Sequence, residues 1–194
     1  MKPSVVYGLK LSAAAVLAGA CVLSAGAAAL TLGGGSELMD LAGLHENRAE
    51  ALLAESPSNT EAAVAETKAA LAQAPMNAAA WARLAYIDRS RSTVMTPAAL
   101  DNLERSYAVA PYGPDISRWR VRYMFEHWSE LTPSLRTQAS DELRVLSRYR
   151  GGVARDTIRT IENPSGRLAA EMIRRLGQGD ARRDREAREA AEAA

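Results

Sequence analysis

Residues 63–111 read AVAETKAALAQAPMNAAAWARLAYIDRSRSTVMTPAALDNLERSYAVAP. Small residues dominate, and the few large apolar ones recur at helical spacing. Ala70, Leu71 and Pro75 close one helical hairpin. Trp81, Leu84, Ala85, Ala99, Leu103 and Pro111 run through a second. Two antiparallel helices with small facing residues, ended by a proline, make one unit of a stacked helical array. Each unit leaves an apolar face that the next must cover.

The local signals around this stretch agree. Ser58 and Glu61 form a capping box, predicting a helix from about Asn59 to Gln73 with a stop at Pro75. Asn77 caps the next helix, which carries Trp81, Leu84, Ala85 and Ile87. Thr96-Pro97 and Thr132-Pro133 each read as an N-cap followed by a first-turn proline. Pro114 opens a helix through Trp128 to Leu131. On it Val121, Met124, Phe125, Trp128 and Leu131 form an apolar face. Leu135, Ala139, Leu143 and Leu146 form another on the helix that runs to about Tyr149. Gly151-Gly152 marks a break, and two shorter helices follow, Val153 to Ile161 and Ser165 to Leu176.

The pattern resembles the tetratricopeptide repeat. Trp81, Leu84 and Ala85 match the first helix of a unit. Ala99, Leu103, Ser106, Tyr107 and Pro111 match the second. Ala63, Thr67, Ala70, Leu71 and Pro75 supply the preceding half-unit. The chain also departs from the family. The loop after Asp88 is about two residues longer than usual, and Asp88 falls where an aromatic is common. Ser117 and Arg120 fall where bulky core residues are expected. The resemblance implies an all-α fold, a right-handed stack of antiparallel hairpins over 58–176. It also implies a concave row of first-helix residues that holds an extended peptide: Tyr86, Arg89, Arg118 and Arg122, with Asn77 at the preceding turn. Arginines there would fork onto a carboxylate, so an acidic peptide or chain terminus is the expected ligand. Against this, Arg122 stands four residues before Glu126 and could simply pair with it along a solvated face.

Upstream, Leu11 to Leu32 carries no charge and as a helix spans about 33 Å, the thickness of a bilayer core. Lys2 and Lys10 precede it, and Glu37 and Asp40 follow. Residues 1–10 are therefore expected in the cytoplasm and the bulk of the chain on the far side of the inner membrane, in the periplasm. We take residues 11–32 as an uncut single-pass transmembrane anchor. The alternatives are a signal cut near Ala25-Gly26-Ala27, giving a secreted chain, and lipidation at Cys21 in an imperfect lipobox. Ala14 with Ala18, and Ala15 with Gly19, have the small-residue spacing that permits self-association, though an Ala-rich helix contains such pairs by chance. Residues 33–57 read as a linker and juxtamembrane helix, in which Glu37 to Glu55 either continues the membrane helix or forms the first helix of the domain. Residues 177–194 read as a charged tail with little to bury it, expected to be disordered.

Composition limits the chemistry. The net charge of +1 recruits no nucleic acid. Cys21 is the single cysteine, which excludes an internal disulfide or a Cys-rich zinc site. His45 and His127 lie far apart, and no nucleophile elbow, phosphate loop or metal spacing occurs. No cofactor, no metal and no enzyme activity is expected. The arginines 136, 144, 148, 150, 155 and 159 could meet anionic groups, but Asp141, Glu142 and Asp156 dilute them into a solvated face. The expected function is protein–protein interaction: a scaffold held at the membrane, similar to accessory factors of envelope assembly such as polysaccharide export. The alternative is a structural subunit of a membrane complex, bound through residues 11–32.

Overall fold

The computed structural model describes residues 42–55 and 58–193. The expectations for residues 1–41, including the anchor and Cys21, lie outside the described residues. So does much of the break at 56–57. Among the described residues no helix is long and apolar enough to cross a membrane.

The described residues form eight α-helices and one short 3-10 turn, and the helices pack in antiparallel pairs. The chain divides into two compact units, Met1–Gln73 and Ala74–Ala194. In the first, α1 (Ala42–Ala54) pairs with α2 (Thr60–Gln73). Leu44, Ala49, Ala63, Ala70 and Leu71 are buried; three of the five are alanines, which lets the axes approach closely. A hydrogen-bond contact between His45 and Glu66 crosses the hairpin. The capping residue of α2 is Asn59 rather than Ser58, its side chain accepting from Ala62 N–H at 3.2 Å. Thus α2 makes its hairpin with α1, as in the reading that places a first helix of the folded part within residues 37–55.

In the second unit α3 (Ala78–Ser90) pairs with α4 (Pro97–Val109). Asn77 accepts from the N–H groups of Ala79 and Ala80, and Thr96 from that of Ala99, so both expected caps form. The long loop between the helices is tied down because Asp88 accepts the Thr96 hydroxyl. This gives a use to the acidic residue that departs from the repeat pattern. Trp81 is half-buried; its indole N–H donates to the Pro75 carbonyl at 2.9 Å, and Arg105 lies over its ring.

The helix α5 (Ser117–Glu126) begins later than Pro114, and the 3-10 turn Trp128–Glu130 follows it. Thr132 then caps α6 (Pro133–Tyr149) at Leu135 N–H. Val121, Met124, Phe125 and Leu131 are buried, as are Leu135, Ala139, Leu143 and Leu146. The two apolar faces read from the sequence are thus opposite walls of one core. Each fully buried side chain of this size contributes about 1.5–3 kcal/mol.

The expected break falls at Arg150, where α6 ends, and Gly151 and Gly152 follow it inside the next helix. They start α7 (Gly151–Arg159), which packs on α6. The last helix, α8 (Pro164–Glu192), corrects the expectation of a disordered tail: it continues without interruption through residues 177–192. Two features hold it along α6. Gly166 and Gly177 allow contact with backbone, since an added Cβ would stand 1.8 Å from the Phe125 carbonyl oxygen and 2.5 Å from that of Arg144. Arg144 and Arg148 then grip Asp180 and Asp184 with two hydrogen bonds each, at 2.5 to 3.1 Å. The arginine series is therefore largely engaged in structure. Arg136 holds the Trp128 and Ser129 carbonyls, and Arg159 stands near Asp156.

Candidate functional site

The departures from the repeat pattern on α5 build a buried polar cluster. Arg120 is fully buried and Glu142 of α6 is 1% exposed. The Glu142 carboxylate accepts from Arg120 Nη2 at 2.6 Å and Nε at 3.0 Å, from Ser117 Oγ at 2.6 Å and from Tyr107 OH at 2.8 Å. Arg120 also donates to the Ser106 carbonyl, which takes the Ala110 N–H as well, and to the carbonyls of Ala110 and Pro111 just past the end of α4. Its guanidinium stacks 3.8 Å from the Tyr107 ring centroid. Burial, then the charge of Glu142, pushes the Tyr107 hydroxyl well above its ordinary range, against a smaller opposing pull from Arg120. Every polar atom here has a partner inside the protein, so the cluster ties α4, α5 and α6 together and leaves nothing for a ligand.

The surface made by α3 and α5 differs. Trp119 and Tyr123 line one face of α5, and His127, spaced by four again, continues the row as its C-cap. Trp119 stacks on Tyr123 with centroids 4.8 Å apart and 12° between planes. Tyr123 meets His127 edge-on at 4.8 Å. From α3, Tyr86 sets its ring against the edges of both Trp119 and Tyr123, at 6.3 and 6.1 Å, while staying 44% exposed. Such pairs contribute about 0.5–1.5 kcal/mol each beyond their buried area.

Glu130 locks the end of this row. It accepts from Met95 N–H at 2.6 Å and from Arg89 Nη2 at 3.2 Å, and it meets His127 Nδ1 at 3.2 Å. Burial pulls its carboxyl up, but the hydrogen bonds from Met95, His127 and Arg89 outweigh that and hold it below the usual range. Tyr123 is 9% exposed, and its hydroxyl has no hydrogen-bond partner; neither has the buried Nε of Arg89. Burial raises the Tyr123 hydroxyl far above its normal value, with Arg89 opposing. Both orphaned atoms can donate a hydrogen bond, and both are enclosed by the surrounding side chains.

The five residues expected to line a peptide row divide accordingly. Tyr86 and Arg89 stand on the aromatic surface, Arg89 fixed by Ser92 and Glu130. Arg118 and Arg122 are exposed on α5 without a hydrogen bond or ion pair among the described residues. The alternative pairing of Arg122 with Glu126 does not form. Glu126 instead accepts from the N–H groups of Glu162 and Asn163, at the start of α8. Asn77 acts as the cap of α3. Sequence reasoning missed Trp119, Tyr123 and Glu130. The spacing of Trp119, Tyr123 and His127 was the available signal, hidden because Tyr123 also borders the core. Among the described residues no cluster of three or more His, Cys, Asp or Glu could hold a metal ion.

Comparison of the chain with protein-family models, with curated proteins and with solved structures gave no match. The described geometry defines an all-helical domain of paired antiparallel helices, consistent with a helical-repeat fold.

Proposed function

We propose that this protein is an interaction scaffold whose α3–α5 surface captures an extended acidic segment of a partner protein. The observation that carries the reading is the aromatic row of Tyr86, Trp119 and Tyr123, with two orphaned donors beside it. Stacked rings offer a flat apolar platform for side chains. Beneath the rings Arg89 Nε and Tyr123 OH lack an acceptor, and Arg118 and Arg122 on α5 add unpaired positive charge at the surface. In this reading the hairpins form a right-handed stack like that of tetratricopeptide repeats. Residues 11–32 tether it to the inner membrane with the domain in the periplasm. Tethering confines the surface to the membrane plane and raises its effective concentration for neighbouring complexes. An accessory role in envelope assembly fits this placement.

The test is affinity purification from gently solubilised membranes with the parent chain and with Arg118→Glu/Arg122→Glu. Both residues are exposed and unpaired, so the double variant keeps its fold by circular dichroism. It is expected to lose partner capture, and undiminished capture would overturn the reading.

A second reading is favoured by the uncharged run Leu11 to Leu32: a structural subunit of a membrane complex, bound through that segment. It predicts that a chain beginning at residue 42 recovers no partner, whereas the scaffold reading predicts that it does.

A further inference from the structure

Two clefts lie side by side where α4 ends, and no residue of the α3–α5 row lines either of them. The first, of about 300 Å³, runs between the last turn of α4 and α6, with Tyr107, Pro111, Tyr112 and Asp141 in its walls. The second, of about 160 Å³, has an almost wholly apolar lining, to which Pro114, Val145, Leu146 and Tyr149 contribute. Glu142 and Ser117 border it too, but they bond each other, and Arg120 neutralises the carboxylate. Tyr112 belongs to both clefts and is 53% exposed, and Tyr149 is 68% exposed.

The charge around the first cleft is negative and unanswered. Asp141, in its α6 wall, is exposed and has no hydrogen bond or ion pair among the described residues. On α4, Glu104 stands one turn before Ala108, which lines the same cleft, and is likewise exposed and unpaired. The neighbouring cations are committed elsewhere, Arg144 to Asp180 and Arg105 to Asp101. Two carboxylates beside one cleft repel each other, and a cation between them relieves the repulsion. Among the described residues no group of side chains could hold a metal ion, so the cation that fits is organic. A guanidinium or ammonium would also lie on the open ring of Tyr112.

We propose that these clefts bind a short extended segment of a partner protein, with an arginine or lysine in the Tyr112–Asp141 cleft and an apolar side chain in the Pro114–Tyr149 cleft. An extended chain turns alternate side chains to one side, about 6.6 Å apart, so two pockets sharing one wall are read by residues two apart. Arg150, exposed at the edge of the apolar cleft and without an ion pair among the described residues, repels a basic side chain there and fixes the order.

This surface selects the charge opposite to that drawn by the α3–α5 row and shares no residue with it, so either can fail without the other. The test screens the full chain, in mild detergent, against a library of short random peptides displayed on phage. A set of peptides with a basic residue two places from an apolar one is expected. Synthetic peptides from that set should bind Asp141→Arg at least about tenfold more weakly than the parent. Selection on Tyr149→Ala should keep the basic residue and lose the apolar preference. Both side chains are exposed, so both variants keep their fold by circular dichroism. Acidic peptides held by the α3–α5 row should bind Asp141→Arg unchanged. The proposal is overturned if no basic set emerges, or if that set binds Asp141→Arg as well as the parent. It is also overturned if agmatine, a guanidinium on a short alkyl chain, binds as tightly as the peptides, since the site would then take a small cation alone.

Discussion

Glu142→Gln is nearly isosteric, yet it removes the charge that neutralises a fully buried guanidinium. Glu142 takes hydrogen bonds from Arg120, Ser117 and Tyr107, and the amide that replaces it turns donors toward donors. Breaking a buried ion pair from one side costs about 3–5 kcal/mol, because the remaining charge stays desolvated. Domains of this size hold about 5–15 kcal/mol in total, so the variant gives up roughly a third or more. With a urea slope of about 1–2 kcal/mol per molar, the unfolding midpoint should fall by about 1.5–5 M. Arg120→Met alone should cost a similar amount. In Arg120→Met/Glu142→Leu the two charges leave together, and the penalty shrinks to the Ala110 and Pro111 carbonyls that lose a donor and the Tyr107 and Ser117 hydroxyls that lose an acceptor, about 1 kcal/mol each. The double-mutant cycle should therefore show coupling of about 3 kcal/mol. All three tryptophans, Trp81, Trp119 and Trp128, lie in this unit, so urea titration followed by tryptophan fluorescence reads the right transition. A Glu142→Gln loss below about 1 kcal/mol, or singles that simply add up in the double, would refute the reasoning, since either requires the pair to be solvated.

Other consequences follow from particular contacts. Gly166→Ala drives a methyl into the Phe125 carbonyl and should cost about 3 kcal/mol or more, with Gly177→Ala costing somewhat less; thermal melts rank the two. Tyr123→Phe should change stability at pH 7 by less than about 1 kcal/mol, because the hydroxyl has no partner, yet weaken partner capture. At high pH the sign is fixed: Tyr107 and Tyr123 are held above the ordinary value, so the unfolded chain ionises first. Stability should be intact below about pH 10 and fall above it, less steeply in Tyr123→Phe, as melts between pH 8 and 11 would show. On the acid side, hydrogen bonds from Arg144 hold the Asp180 carboxyl low, so the contribution of that pair is present at neutral pH and lost as pH falls through the carboxylate range. Amide exchange along residues 178–192 should speed up selectively at low pH, and at pH 7 in Asp180→Asn/Asp184→Asn.

Much of the helical layout was legible in the chain alone. Asn77, Thr96-Pro97 and Thr132-Pro133 announce helix starts because a cap and its target amide lie within one turn. The stripes Val121 to Leu131 and Leu135 to Leu146 announce buried faces because helical periodicity is a local property. What tertiary structure decided are the partnerships. Arg120 in a core position reads as a departure until α6 brings Glu142 beside it. The segment after Gly177 reads as unsupported because its aspartates are held by arginines one helix away. Tyr86, Trp119 and Tyr123 become one surface only when the fold brings a ring from α3 against those of α5. A sequence encodes which residues can pair within a few turns. Which distant charges and rings meet is determined by how the helices pack, and here small residues such as Gly166 and Gly177 set that packing by allowing backbones to touch.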